Sequence, residues 1–208
     1  MTSIVTGPDG VPRCPWGNTP PEYQRYHDHE WGRPVGDDVR IFEKLCLEGF
    51  QGGLSWLTIL RKREGFRAAF AQFDPHTVAG FEEDDIERLL HDASIVRNRA
   101  KITATIGNAR AMLRLAEQGL SLAALMWQHE PARSAPPKDT ADVPATTPES
   151  KALSAVLRRH GFRFVGPTTV YAAMQSLGVL NDHLAGCEYR AACETERVAF
   201  TRPGQARR

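Results

Sequence analysis

Apolar residues recur at helical spacing in several parts of the chain. The clearest stripe has a period of about 3.6 residues and is followed by a stop signal at Gly119. It is formed by Ile102, Ile106, Ala109, Leu113 and Ala116. A further stripe, marked by Val170, Met174 and Leu177, ends near Gly178. Both stripes predict amphipathic helices.

Start and stop signals accompany other helical segments. A stripe of Leu153, Val156 and Leu157 begins after Thr147, has Pro148 at its first helical position and ends at Gly161. Asp74-Pro75 is a start signal of the same kind. No long stretch alternates apolar and polar residues, and β-branched residues are scattered. The pattern therefore predicts an all-α protein.

The periodicity fails in one internal segment and at both ends. Residues 129–150, "HEPARSAPPKDTADVPATTPES", are rich in Pro, Thr, Ser and Ala, and predict a long loop that is mobile at its centre. Residues 1–12 predict a flexible segment, and residues 191–208 a basic tail with little to bury. We expect residues 13–190 to form a single domain.

Composition narrows the class of protein. The chain has 208 residues, of which 41% are hydrophobic and 25% charged, and no apolar run is as long as a membrane span. The first twelve residues lack a secretory signal, so we expect a cytoplasmic protein, most simply a monomer, with reduced cysteines. The net charge of +1 gives no global attraction to polyanions. Any nucleic-acid binding must come from local clusters of basic residues.

One basic cluster lies within the clearest helical stripe. Residues 93–116 contain no acid and carry Arg97, Arg99, Lys101, Arg110 and Arg114. This pattern is typical of a phosphate-binding segment and equally of a solvated helix face.

Two Cys/His pairs form a candidate metal site. Twelve residues separate Cys14 from His27, and three separate His183 from Cys187, a spacing that places both on one side of a helical turn. Two thiolates and two imidazoles suit tetrahedral zinc, and four protein ligands would leave no position for a catalytic water. His29 is equally available in place of His27, and packed or solvated side chains are the simpler alternative. Cys46 is most simply a core residue and Cys193 a free thiol.

An acid near several aromatics forms a candidate ligand pocket. Glu48 lies at the end of a predicted helix in "KLCLEGFQGGLSW", where the helix dipole and apolar neighbours oppose its charge. Tyr26, Trp31 and Trp56 are near it in sequence. Rings and a carboxylate suit a flat cationic ligand. The alternatives are a Glu48 that is solvated or paired with Arg61 or Arg63, and aromatics that are core residues.

Seven stretches in the same order resemble one known family, DNA-3-methyladenine glycosylase I. They run from about residue 13 to residue 187 and are "RCPWG", "YHDHEWGRP", "FEKLCLEGFQGGLSWLTIL", "KREGFRAAFAQFDP", "IVRNRAKITATIGNARA", "GFRFVGPTTVYAAMQ" and "NDHLAGC". The resemblance implies a helix-hairpin-helix glycosylase fold and one structural Zn²⁺ bound as a clip by Cys14, His27, His183 and Cys187. It also implies that Glu48 is the pocket acid, that Tyr26 and Trp56 stack on the base and that Trp31 forms the pocket wall.

The resemblance further implies an activity and a partner. We expect a monofunctional glycosylase that flips 3-methyladenine out of double-stranded DNA and leaves an abasic site. The hairpin near residues 92–102 is expected to grip the DNA, with Arg97, Arg99 and Lys101 as candidate contacts. Ser94 and Ala100 stand in that hairpin where glycines are expected.

Leu54 is the candidate wedge for the gap in the duplex, with core packing as its alternative. Two other functions stay open, a related glycosylase with a different lesion preference and a zinc-clipped helical DNA-binding module without catalysis.

Overall fold

The computed structural model describes residues 3–132 and 135–204. Within these ranges the chain forms one short antiparallel hairpin, β1 Val5–Thr6 and β2 Pro12–Arg13, and ten α-helices. The helices are α1 Pro21–His29, α2 Asp38–Gln51, α3 Trp56–Ala69, α4 Pro75–Ala79, α5 Glu83–His91, α6 Arg99–Glu117, α7 Leu122–Gln128, α8 Pro148–Arg159, α9 Pro167–Ser176 and α10 Tyr189–Ala199. The prediction of a mainly helical protein is confirmed. None of the described helices is long and apolar enough to cross a membrane.

Local signals place the helix ends where the sequence predicts them. Thr147 and Asp74 are N-caps, and each side chain accepts a hydrogen bond from a backbone N–H of the first turn, in α8 and α4. Gly119 and Gly161 follow α6 and α8 with positive φ angles of 72° and 92°. Glycine adopts these angles without steric cost, so both helices end where their apolar stripes end.

Helix α2 lies at the centre of the fold. It packs against α3, α6, α7 and α9, and eight of its fourteen residues are buried. Its aromatic neighbours come from α3 and the turn after it. The ring centroids of Phe50 in α2 and Phe66 in α3 lie 4.6 Å apart. The close packing around α2 places a polar side chain near its carboxyl end, Glu48, in the interior.

Both terminal segments contain secondary structure in their described parts. The flexibility of residues 1–12 stays a prediction, whereas the prediction that residues 191–208 have little to bury is corrected. Residues 5–13 form the β1–β2 hairpin, and Ile4 contacts Gly186. The predicted tail contains most of α10, in which Cys193 and Arg197 are buried. Residues 1–2 and 205–208 lie outside the described residues.

The long loop begins after α7 and ends where α8 starts at Pro148. It contains a short 3₁₀ turn, Thr140–Asp142, and the carbonyl of Pro137 accepts a hydrogen bond from the N–H of Ala185 at 2.8 Å. Residues 133 and 134 of the loop lie outside the described residues, and the mobility of its centre stays a prediction. The rest of the loop is therefore tied to the segment between α9 and α10.

Candidate functional site

Two cysteines and two histidines from distant parts of the sequence converge beside α1. Cys14 follows β2, His27 lies in α1, and His183 and Cys187 lie in the turn between α9 and α10. One donor atom from each lies within 4.8 Å of all the others, and all four residues are buried. His183 and Cys187 are in a turn and not on a helix, which corrects the sequence prediction. The four side chains could hold one metal ion.

Hydrogen bonds outside the cluster fix how each imidazole faces it. His27 Nδ1 lies 2.9 Å from the carboxylate of Asp28 and donates a hydrogen bond to it, so Nε2 faces Cys187. His183 Nε2 donates to the carbonyl of Trp31 at 3.1 Å and presents Nδ1 to both sulfurs. Partners of this kind select the tautomer that a metal-binding histidine needs.

The Asp28 carboxylate is itself held in place. The guanidinium of Arg13 donates to both of its oxygens at 2.9 to 3.1 Å, and both residues are buried. Burial raises the pKa of Asp28, but the hydrogen bonds from Arg13 outweigh it and leave the pKa below its ordinary value. Asp28 is therefore an anion that orients His27.

The two thiols behave as a strongly interacting pair. Their mutual hydrogen bond, helped by His183 and His27, lowers the pKa of Cys187, while the same bond and burial raise the pKa of Cys14. A divalent ion would stabilise both thiolates, so the donor set fits zinc.

The structure separates the two competing histidines. His29 is exposed at the end of α1, whereas the His27 ring lies so close to Gly17 that a Cβ there would come within 2.4 Å of it. Glycine at this position gives His27 the space to face the cluster.

A cavity of about 450 Å³ opens beside the cluster. Its wall includes the three predicted aromatics and Glu48, together with Cys14 and residues of the long loop. The rings of Tyr26 and Trp56 lie 5.6 Å apart at 45°, and Trp31 lies 4.7 Å from the His183 ring. The structure therefore brings together Tyr26, Trp31, Glu48 and Trp56, as the sequence predicts.

Glu48 is buried at the carboxyl end of α2 and lines this cavity. Burial raises its pKa to about 7, and the positive charge of Lys44 opposes that rise. Arg61 pairs with Glu22, and Arg63 pairs with Glu30, so neither neutralises Glu48. The cavity therefore contains a carboxylate whose charge Lys44 offsets only in part, so that a cationic ligand would stabilise it further.

Lys44 lies one helical turn before Glu48, and sequence reasoning missed it. Its ammonium donates to the Tyr26 hydroxyl at 2.9 Å and lies 4.5 Å from the Trp56 ring centroid. Burial lowers its pKa to about 8, against the opposing charge of Glu48. Lys44 lines a separate cavity on the far side of Tyr26, so the aromatic rings separate it from the ligand cavity.

Sequence reasoning also missed other residues of the cavity wall. Trp16 packs edge-on against Trp31 and His27, with ring centroids 5.1 and 5.0 Å apart, and thus contacts both sites. Asp182 accepts hydrogen bonds from Tyr171 and Gln175 at the opposite wall. In the described ranges Trp56 Nε1 is buried and lacks a hydrogen-bond partner. The "CPWG" and "NDHLAGC" motifs contain Trp16 and Asp182, so these two were discoverable beside the ligands.

Leu54 lies at the tip of the turn between α2 and α3 and is 39% exposed. Gly53 precedes it with a φ of 83°, and the Gln51 side chain donates to the Leu54 carbonyl. Lys101 Nζ donates to the carbonyls of Phe50 and Gly52 at 2.7 and 2.6 Å. Its ammonium therefore holds the turn that presents Leu54, and its contact with DNA stays a prediction.

The predicted hairpin is a turn between α5 and α6. Arg99 forms ion pairs with Glu83 and Glu87 of α5, and its contact with DNA stays a prediction. Arg97 is exposed and forms no hydrogen bond or ion pair with any residue that the structure describes. Ser94 and Ala100 both lack the positive φ that would require glycine, so neither strains the turn.

Comparisons with known proteins show which family the chain is similar to. The model of the family described as methyladenine glycosylase matches residues 16–191. Over 178 residues the chain is 47% identical to DNA-3-methyladenine glycosylase 1 of Escherichia coli (strain K12), covering 84% of this chain and 95% of that protein. It is 45% identical over 178 residues to the DNA-3-methyladenine glycosylase of Haemophilus influenzae, covering 84% and 96%.

Solved structures share the fold. A crystal structure of 3-methyladenine DNA glycosylase I is 46% identical with a TM-score of 0.82, over 85% of this chain and 98% of that chain. A structure of the Staphylococcus aureus 3-methyladenine DNA glycosylase I, described as the basis of 3-methyladenine recognition, is 33% identical with a TM-score of 0.81, over 86% and 96%.

Proposed function

Because the chain belongs to the methyladenine glycosylase family, we propose that it is a DNA-3-methyladenine glycosylase, which hydrolyses the N-glycosidic bond of 3-methyladenine in alkylated DNA. The observation that carries the proposal is a buried carboxylate, Glu48, in a cavity lined by Tyr26, Trp31 and Trp56. A base methylated at N3 is a flat cation, and such a ligand both stacks on rings and compensates a buried carboxylate.

The lesion itself supplies much of the chemical driving force. The positive charge on the methylated base weakens its bond to the sugar, so the base leaves as a neutral molecule. The enzyme must flip the nucleotide, bind the charged base and stabilise the oxocarbenium-like sugar while water attacks. Glu48 accepts N–H hydrogen bonds from the adenine edge and provides negative charge near the reaction centre.

The same arrangement explains selectivity. Neutral adenine would stack on Tyr26 and Trp56 but would leave the Glu48 charge uncompensated in the cavity. Cation stacking favours the methylated base by on the order of 1–2 kcal/mol when water is excluded. Unmodified bases are therefore disfavoured both in the cavity and at the chemical step.

The Cys/His cluster is assigned as a structural zinc clip. One Zn²⁺ would be held by Cys14, His27, His183 and Cys187. By binding both thiolates and both imidazoles, it would join distant segments of the chain. Its four protein donors leave no position for a reacting water, so hydrolysis is assigned to the cavity.

Duplex DNA is assigned to the face formed by the α2–α3 turn and the α5–α6 hairpin. Exposed Leu54 enters the gap left by the flipped nucleotide, and exposed Arg97 contacts phosphate in a helix-hairpin-helix arrangement. Lys44 is the buried lysine nearest to the acid, but the rings separate it from the cavity. We therefore propose a monofunctional enzyme that leaves an abasic site.

The proposal is tested on duplex DNA treated with a methylating agent, with the released bases separated by chromatography. We expect release of 3-methyladenine above the spontaneous rate while 7-methylguanine stays in place. Release of another base in its place would indicate a related lesion preference. No release by folded, zinc-loaded protein would contradict the proposal and favour a DNA-binding module.

A further inference from the structure

Phe164, in the turn between α8 and α9, is an exposed aromatic residue on a strained backbone. It is 45% exposed and has a φ of 55°. Among the described residues, the other positive-φ side chains outside glycine are the consecutive Ala71, Gln72 and Phe73. A left-handed conformation is costly for a bulky residue, and so is a phenyl ring in water. Strain of this kind persists only where the surrounding structure enforces it.

Buried side chains enforce the position of Phe164 from both sides. The Asn108 amide accepts from the N–H of Arg163 at 2.7 Å and donates to its carbonyl at 3.1 Å. On the other side, the Ser154 hydroxyl donates to the carbonyl of Val165 at 2.6 Å. Asn108 and Ser154 are both buried, and Val165 packs in the core. The turn therefore has one backbone path, which directs Phe164 outwards.

That path brings Phe164 against the helix that carries the catalytic acid. A Cβ placed on Gly49, the residue after Glu48, would lie 3.2 Å from the Phe164 Cβ. Phe164 also shares a small cleft with Lys101, whose ammonium holds the Leu54 turn. Phe164 is therefore continuous with the face that the proposed function assigns to duplex DNA.

We propose that Phe164 is a second DNA-contacting residue, whose ring packs against bases of the duplex beside the flipped nucleotide while Leu54 fills the gap. This inference rests on the proposed function for its partner. An exposed ring has a face on which any base can stack, so the contact would stabilise the opened duplex without reading its sequence. A rigid backbone suits this role because it holds the ring in place before DNA arrives.

Phe164→Gly tests the proposal without threatening the fold, because glycine adopts the observed φ freely. The readouts are the dissociation constant for a duplex with a stable abasic-site analogue, binding of free 3-methyladenine by tryptophan fluorescence, and the thermal midpoint. We expect duplex binding weakened roughly tenfold, with base binding unchanged and a thermal midpoint equal or higher. Phe164→Trp should retain duplex binding. Val198→Ala, at an exposed apolar residue of α10, is the matched control and should change none of the three.

Two results would overturn the inference. Parental duplex affinity in folded Phe164→Gly would show that the ring does not contact DNA. An equal loss of base and duplex binding would show that Phe164 acts only by supporting the Gly49 side of the cavity. The test is separate from that of the proposed function, because duplex and base binding are measured without excision.

Discussion

The Cys/His cluster and the ligand cavity lie side by side, and Cys14 borders both. The two sites differ in how their buried polar groups are compensated. In the cluster, Asp28 and the Trp31 carbonyl orient the two imidazoles so that each presents a free nitrogen to the cluster. In the cavity, Glu48 faces rings, and burial raises its pKa. Donors that are already oriented could hold a metal ion, whereas a carboxylate that is offset only in part is ready for a cationic ligand.

The largest expected effect separates the two histidines of α1. His27→Ala removes a cluster donor and leaves Asp28 without its imidazole partner, so we expect the free energy of unfolding to fall by more than about 3 kcal/mol, with loss of zinc. His29→Ala, at an exposed position, should change it by less than about 0.5 kcal/mol. Urea denaturation and metal analysis measure both. Parental stability and one zinc per chain in His27→Ala would refute the clip.

Glu48→Gln should separate chemistry from stability in the cavity. The amide keeps the shape but lacks the charge, so we expect single-turnover excision of 3-methyladenine to fall by at least about a hundredfold. The free energy of unfolding should be unchanged or higher, because a buried charge is removed. Glu64→Gln, whose side chain is 79% exposed, is the control. Excision within a factor of about two of the parent would exclude Glu48 from the mechanism.

The pH dependence tests the same carboxylate more finely. With its pKa raised to about 7, Glu48 ionises as the pH rises through neutrality, so excision should rise between about pH 6 and pH 8. Stability has the opposite sign. Because the pKa of Glu48 in the folded state lies above its ordinary value of 4.5, its contribution to the free energy of unfolding is fully present below pH 4.5. That contribution is lost as the pH rises through about 7.

Lys44→Met sharpens this prediction. The positive charge of Lys44 lowers the pKa of Glu48, so its removal should move the rising limb of the excision profile to higher pH. Methionine keeps much of the side-chain length behind Tyr26 and Trp56. An unmoved limb would mean that Lys44 does not set the charge state of Glu48.

The smallest expected effect probes the wall that joins the two sites. Trp16 packs against His27 of the cluster and Trp31 of the cavity. Trp16→Phe should lower the free energy of unfolding by about 1 kcal/mol and excision by a few fold, since part of one ring is lost. If only one of the two quantities changed, the sites would be more independent than their shared wall indicates.

Periodic stripes and local capping predicted α6, α8 and α9, the start of α4 and the end of α2 from the sequence alone. The starts of α4 and α8 and the ends of α6 and α8 agree with the predictions, because N-caps and positive-φ glycines act within a few residues. The motifs likewise named the four cluster donors and four residues of the cavity. The sequence missed α10, whose inner face includes Arg197, a residue type usually exposed. Its guanidinium is buried because it donates to the carbonyls of Gly178 and Val179 and pairs with Glu130.

Only the tertiary structure decided between side chains that the sequence made equivalent. In the structure His27 faces the cluster and His29 is exposed. Arg61 and Arg63 pair with acids other than Glu48, and Lys44 lies behind the rings. The tertiary structure also engaged Lys101 and Arg99 within the protein, leaving Arg97 exposed in the hairpin. Periodicity is a property of neighbouring residues, whereas the charge and orientation of a buried group depend on atoms brought to it from distant parts of the chain.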